Sequence, residues 1–441
     1  MKKLLLILLC LPMIGFGQIF SNEYLDGTGI DVHQTNDDGY IVLGQGINEW
    51  ILIKTNQNGD TLWSKKYYNG NAKSILETLD GGYIISYTSI AGYVSLIKTD
   101  SNGQIMWQKS YNRGLMGGII ENTDSSLIIA YTENLITPYG YDNINYIMLS
   151  KTNSYGDTLW TSILMSYTNG WGGHISDLHK TFDQGYILSG GENPPYSIYT
   201  GWNGGALFIK TNSLGNKEWE RQIYGGGGGG LTVGQDHQYI NSVQQSNDSG
   251  YVFCGVASDN IFSNNGQCMS KIDFSNYGKL DSQGFILWQK HLVPISLSNS
   301  YGSCRSIYKT FDGNYIIGSY YLTGQQGDVF GLTEIDNDGN VLCHKQLDLM
   351  PALKVAGTAV KQVADSAYIV TGYNKVNGSI ILIKSYCSSS ANSTINVFED
   401  VSNKELLKVT DLLGRETKGT KNEVLFYIYD DGTVEKRIVI E

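Results

Sequence analysis

The sequence predicts an all-β chain folded as a seven-bladed β-propeller, with four-stranded antiparallel blades and a short C-terminal β tail. Three observations carry this. A four-strand pattern recurs seven times, the last copy lacks its fourth strand, and the first residues after an N-terminal apolar run have that missing strand's pattern. The pattern is clearest in Ala72–Arg113. Ala72–Leu79 runs into Asp-Gly-Gly, and Tyr83–Thr88 alternates apolar and polar residues. Tyr93–Lys98 then leads to a Gly-containing turn, and Ile105–Tyr111 closes the unit around Trp107. Period-two alternation between Asp/Gly turns reads as an antiparallel meander. A lone meander leaves a face uncovered, so the copies must pack on one another.

The repeated positions fix the register. An Asp stands three residues before each second strand, at Asp37, Asp80, Asp124, Asp183, Asp248, Asp312 and Asp365. The first strands carry an apolar residue at Val32, Ile75, Ile119, Leu178, Val243, Ile307 and Val360. The second turns have Gly59, Gly103, Gly156, Gly215, Gly284 and Gly339, followed by Trp63, Trp107, Trp160, Trp219, Trp288 and, out of pattern, Cys343. Lys54, Lys98, Lys151, Lys210, Lys279 and Glu334 precede those residues on the third strands. Four-stranded repeats of this kind mark propeller blades. The seventh copy stops at Ile380–Lys384. Ile19–Gly27 aligns with Met106–Gly114, which puts Phe20 in the Trp place and Tyr24 in the place of Tyr111. An N-terminal strand that completes the last blade removes its open edge. The Trp series is expected to plug the space between blades and the Asp series to cap its hairpin through backbone amides. The Lys series is expected to lie along strand surfaces with solvated heads.

Composition narrows the partners. With 53 Gly, 6 Pro and 17% charged residues the chain is globular and β-rich, and its net charge of −11 argues against nucleic acid or anionic membrane as a partner. Residues 1–17 read as a secretory signal, with Lys2 and Lys3, an apolar Leu4–Ile14 and a cut ahead of Gln18. This run is too short for a stable span, and no later apolar run is long enough to cross a membrane. Five cysteines follow it, an odd number that fixes no pairing. Cys254 and Cys343 fall inside strands and read as small buried hydrophobes. No Cys/His spacing suggests a metal, and a structural calcium on the Asp series has no clustered acidic ligands behind it, so no cofactor is expected.

The expected organisation is signal peptide 1–17, propeller 18–387, linker 388–403 and tail 404–441. In the tail, "DLLGRE" (Asp411–Glu416), "FYIYDDG" (Phe426–Gly432) and "EKRIVIE" (Glu435–Glu441) resemble the type A C-terminal sorting signal of the type IX secretion system. The matching positions include Asp411, Gly414, Arg415, Gly432 and Lys436. The Pro-Asn-Pro-like opening of longer members is absent. The resemblance implies recognition by the type IX machinery, cleavage of the tail, and a protein at the outer surface of a Gram-negative bacterium or in the medium. The repeats resemble propeller repeats common in secreted bacterial proteins, which implies a fold and no chemistry.

Function is expected on one face. The first–second and third–fourth turns are short and uniform. The second–third loops and the blade connections, on the opposite face, are long in the third to fifth blades and hold Tyr139, Tyr141, Asp142, Trp171, Glu192, Tyr196, Tyr199 and Trp202. Aromatic rings among amides on a rigid scaffold suit a carbohydrate or a surface protein, so a binding or adhesion module is expected. No catalytic motif for a Ser or Cys nucleophile, a zinc hydrolase or a P-loop is present. Arg113, Arg221 and Arg305 are the only arginines before the tail. They do not make the arginine triad of sialidases, and the chain is expected not to be an enzyme. The alternatives are a glycosidase-like enzyme using Glu133, Asp142 or Glu192 as a carboxylate pair, or a structural surface-layer component.

Overall fold

The structure is a computed structural model of the whole chain. It describes residues 20–387 apart from 48, 69, 137–142, 169–171, 194–203, 224–236, 263–267, 295–300, 324–326 and 348–354. Beyond these it describes 395–399, 406–410, 415, 417, 424–429 and 434–438. The chain divides into two compact units, Met1–Phe398 and Glu399–Glu441.

The first unit is all-β and propeller-like. Its first strand, β1 (Phe20–Asp26), belongs to the last sheet. β2 (Thr28–Gln34), β3 (Tyr40–Gln45), β4 (Trp50–Thr55) and β5 (Thr61–Tyr67) form a sheet in chain order. Next come β6 (Gly70–Glu77), β7 (Tyr83–Ser89), β8 (Tyr93–Thr99), β9 (Ile105–Glu121), β10 (Leu127–Ile136), β11 (Asn143–Thr152) and β12 (Thr158–Tyr167), a seven-stranded run. It is two four-stranded meanders sharing β9, whose first half pairs with β8 and second half with β10. β13 (Gly172–Lys180), β14 (Tyr186–Asn193), β15 (Ala206–Thr211) and β16 (Lys217–Ile223) follow. Then come β17 (His237–Gln245), β18 (Tyr251–Phe262), β19 (Cys268–Leu280) and β20 (Ile286–Pro294). β21 (Tyr301–Lys309), β22 (Tyr315–Thr323), β23 (Gly327–Ile335) and β24 (Val341–Gln346) make the next sheet. β25 (Val355–Gln362), β26 (Tyr368–Asn374) and β27 (Ser379–Ser385) are completed by β1. Phe20 stands opposite Lys384, as Trp63 stands opposite Lys54 and Trp107 opposite Lys98, so the N-terminal strand enters in the expected register. Within the stretch expected as a linker, Ile395–Glu399 (β28) lies beside β20. The second unit holds β29 (Leu406–Thr410), β30 (Val424–Tyr429) and β31 (Val434–Ile438), one antiparallel sheet.

The repeated residues explain how sheets join. Each third–fourth turn glycine has a positive φ, from 74° at Gly103 to 83° at Gly284, a conformation that L side chains resist. The ring of the preceding sheet's outer strand packs against that bare Cα. A Cβ would sit 3.0 Å from Trp63 at Gly103, 3.0 Å from Trp107 at Gly156 and 2.7 Å from Phe20 at Gly59. Phe20 therefore does the work of a Trp. Tyr24, Tyr67 and Tyr111 donate to the carbonyls of Gly59, Gly103 and Gly156 at 2.7, 2.6 and 2.8 Å and pin the same seams.

The Lys series departs from expectation. Lys54, Lys98, Lys210 and Lys279 are buried, and their ammonium groups donate to Asp37 (2.8 Å), Asp80 (2.6 Å), Asp183 (2.6 Å) and Asp248. The Asp does cap its turn, since Gly39 and Gly82 donate their amides to Asp37 and Asp80, but the same carboxylate also holds the lysine beneath it. The absent side chain at Gly39 and Gly82 makes room, because a Cβ there would lie 2.6 and 2.5 Å from the lysine nitrogens. Where Glu334 replaces the lysine, it accepts instead from Asn314 and Tyr368. The aspartates are exposed and the lysines buried, so removing the carboxylate strands the ammonium while removing the lysine leaves a solvated carboxylate. Asp80→Asn is thus expected to cost about 1–3 kcal/mol, more than Lys98→Met, in urea unfolding.

Partial burial pushes the Asp80 carboxyl up. The Lys98 hydrogen bond, with those of Thr78 and the Gly82 amide, outweighs it and brings the group from 3.8 down to about 2. Asp124 is likewise lowered to about 2, first by its Ser126 hydrogen bonds. A lowered folded pKa adds stability above the unfolded value that is lost as pH falls through the folded one. Burial also lowers His174 and His344 from 6.5 to about 4, so their neutral forms favour folding above pH 6.5. Acid titration of the urea midpoint is expected to fall in two stages. The first, between pH 6.5 and 4, is reduced in His344→Gln; the second, as pH falls from 3.8 toward 2, is reduced in Asp80→Asn.

Cys343 is not a lone buried hydrophobe. It forms a disulfide with Cys387, whereas Cys254 and Cys304 are free and buried. The bond has a physical reason. The last sheet takes its outer strand from the N-terminus, so the chain does not make a third–fourth turn after β27. A Trp on β24 would have no turn glycine to sit against. The disulfide fastens that seam instead.

Candidate functional site

The loop residues Tyr139, Tyr141, Asp142, Trp171, Tyr196, Tyr199 and Trp202 lie outside the described residues. Glu192, on β14, is buried and accepts from the Tyr167 hydroxyl at 2.6 Å and the Gln222 amide at 2.7 Å. Glu133 is half-buried on β10, opposite Tyr146. In the tail, Asp411, Gly414 and Gly432 lie outside the described residues; Arg415 is exposed, and Lys436 is on β31 opposite Phe426.

What the described residues bring together is a cavity of about 660 Å³ lined by β2, β6, β9, β13, β17, β21 and β25, the first strand of each meander. Each of these strands carries a β-bulge at the same place. The residue without a partner is Ile30, Lys73, Gly117, Ser176, Asn241, Arg305 or Thr358. A bulge re-aims side chains and sharpens the local twist. Beyond it, His33, Leu76, Ile120, His179, Gln244, Tyr308 and Lys361 form a second level of the lining. Leu79, Asn122 and Thr123 extend the lining to the first–second turns.

At several of the bulges the following residue ties neighbouring first strands together. Asp31 accepts the Ile75 amide at 3.1 Å, Asp177 the Val243 amide at 3.0 Å, and the Ser306 hydroxyl the Val360 amide at 3.0 Å. Nearer the turns, Glu77, Glu121, Gln245 and Gln362 accept the amides of Asn36, Leu79, Phe182 and Phe311, and Gln34 accepts that of Ala364.

The cavity's charges are coupled. Lys361 donates to Asp31 at 2.9 Å and to His33 Nε2. Burial pushes Asp31 up, but the Lys361 ammonium outweighs it and holds its carboxyl far below the usual range. Burial and the Lys361 charge lower His33, so it accepts that bond as a neutral ring. Asp177 is similarly pushed up by burial and lowered further by His179, Ser242 and the Val243 amide. His179 lies 3.3 Å from Asp177 and 2.9 Å from the Gln244 amide. Lys73 is lowered by burial, against which Asp177 and Asp31 act from a distance. Among the described residues, no three His, Cys, Asp or Glu side chains cluster as a metal site. The sequence hinted at this lining only through the equivalent positions of His33 and His179.

No protein-family model matches the chain, and no curated protein matches it. Among solved structures the chain is similar to a virginiamycin B lyase from Staphylococcus aureus with quinupristin, at 11% identity and TM-score 0.46, covering 83% of this chain and 99% of that one. It is also similar to the Dos1 propeller, at 13% identity and TM-score 0.47, covering 83% of this chain and 80% of that one.

Proposed function

We propose that the chain is an exported seven-bladed β-propeller that binds a polar ligand in its axial cavity and acts as a binding or adhesion module at the cell surface or in the medium. Ring closure is supported by the bonds joining the first and last meanders. These are β1 on β27, Lys361 to Asp31, and Ala364 to Gln34. Seven first strands then surround one axis. The single observation that carries the binding reading is the cavity itself, a hollow lined by charged, amide and apolar side chains and within the ~300–1,000 Å³ range of small-molecule sites. Two of its four carboxylates are poor proton donors, whereas burial raises the other two, Glu77 and Glu121. Asp31 and Asp177 are held ionised and bonded into the seams, which suits them poorly to donate a proton. The signal-like N-terminus and the tail's resemblance to a type IX sorting signal support delivery by that pathway.

The test is a binding screen of the mature chain on immobilised polysaccharides, beside a Ser176→Leu/Gln244→Leu variant that narrows the cavity and removes two of its polar groups. Binding lost in a folded variant is the expected result. Release of reducing ends would replace the module with a glycosidase, and binding untouched by the variant would move the site to the long loops. Export is tested separately in a type IX-competent host, where removal of 404–441 is expected to hold the protein in the periplasm.

A further inference from the structure

The cavity's polar groups are not equally engaged. Its four carboxylates all have partners: Asp31 with Lys361 and the Ile75 amide, Glu77 with the Asn36 amide, Glu121 with the Leu79 amide, and Asp177 with Ser242 and the Val243 amide. Of the three basic side chains, Lys361 is paired. Lys73 and Arg305 have no hydrogen-bond or ion-pair partner among the described residues, although both line the cavity. Both are the extra residue of a bulge, on β6 and β21, so they stand at one level. Lys73 is half-buried and Arg305 exposed, with Asp177 and Asp31 acting on Lys73 only from a distance, so both cationic heads are left to meet an entering anion.

The surroundings define the size and character of the anion. At the same level stand the Ser176 hydroxyl and Asn241, whose amide nitrogen is spent on the Cys304 carbonyl and whose oxygen remains an acceptor. One level on is the half-buried ring of Tyr308, and Gly117 and Gly118 also line the cavity, each packed close against β13. An inorganic ion would fill little of about 660 Å³. A flat aromatic ring, hydroxyl and amide groups, and separated cations fit a pyranose that bears a carboxylate.

We propose that the cavity binds an acidic sugar, its carboxylate and ring held between Lys73 and Arg305. The inference rests on the cavity being the ligand site and adds the charge of the ligand. The experiment is calorimetric titration of the mature chain with glucuronate and galacturonate, each beside its neutral parent sugar, at constant ionic strength. The acid is expected to bind at least about tenfold tighter than the neutral sugar, as a charge-assisted pair would give. Lys73→Gln and Arg305→Gln each reduce that preference, the double variant abolishes it, and Lys73→Arg retains it. Near-ultraviolet circular dichroism checks that each variant is folded. Equal affinity for acid and neutral sugars, or a preference that survives the double variant, overturns the charge assignment while leaving the cavity as a site. Failure of every saccharide, with no effect of Ser176→Leu/Gln244→Leu in the polysaccharide screen, overturns both.

Discussion

Trp107→Ala is expected to lower the unfolding free energy by ~3–5 kcal/mol, the cost of emptying a large aromatic site. Trp107 lies on β9 opposite Lys98, and its ring fills the space above Gly156, 3.0 Å from where a Cβ would stand. It packs with the buried cluster of Ile84, Leu127 and Ile129, so its loss opens a void between two meanders that rigid strands cannot close. Urea titration measures the change. A midpoint unchanged within error would contradict the role as a seam plug. Gly156→Val should give a comparable loss from the other side of the same contact, because the glycine also has φ of 78°.

Removal of the disulfide in a Cys343→Ser/Cys387→Ser variant is the second large effect. The bond closes a loop between positions 44 residues apart, for which the chain-entropy rule gives roughly 3–4 kcal/mol. The loss should be concentrated at the seam of β21–β24 with β25–β27, where no Trp and turn glycine support it. Hydrogen exchange is expected to show β24 and β27 opening first in the variant. Loss of protection spread evenly over all sheets would contradict a local staple. Cys254 and Cys304, free and buried, should stay unreactive until the chain unfolds.

Much of the scaffold was legible because the constraints are local and repeat. A positive-φ turn demands glycine, a seam demands a ring, and each recurs at fixed spacing, so Gly103 with Trp63 and Gly156 with Trp107 announce one another. Even the displaced strand was readable, since Phe20 and Tyr24 keep the spacing of Trp107 and Tyr111. The lysine heads were misread because nothing in a strand's alternation tells whether a turn carboxylate folds back over it. The disulfide was hidden because Cys387 lies just past the last repeat and has no equivalent in other copies. The bulges were invisible as well: an extra residue in one strand leaves no mark until its partner is known. The cavity is built from a few residues on each of seven strands, from Ile30 to Lys361, with Lys73 and Arg305 among them, so no motif could assemble it. The long loops that drew attention instead lie outside the described residues.

The most direct test is of the ring itself. Asp31 and Lys361 lie on the first and last inner strands, 2.9 Å apart in space and 330 residues apart in sequence. Zero-length carbodiimide cross-linking of the monomeric fraction, read by peptide mass spectrometry, reports that pair, with Lys54–Asp37 and Lys109–Asp157 as internal standards. A closed seven-bladed ring with a charged axial cavity gives an Asp31–Lys361 cross-link alongside both standards. Both standards without it would mean that the first and last meanders do not meet, and the axial site would fall with them.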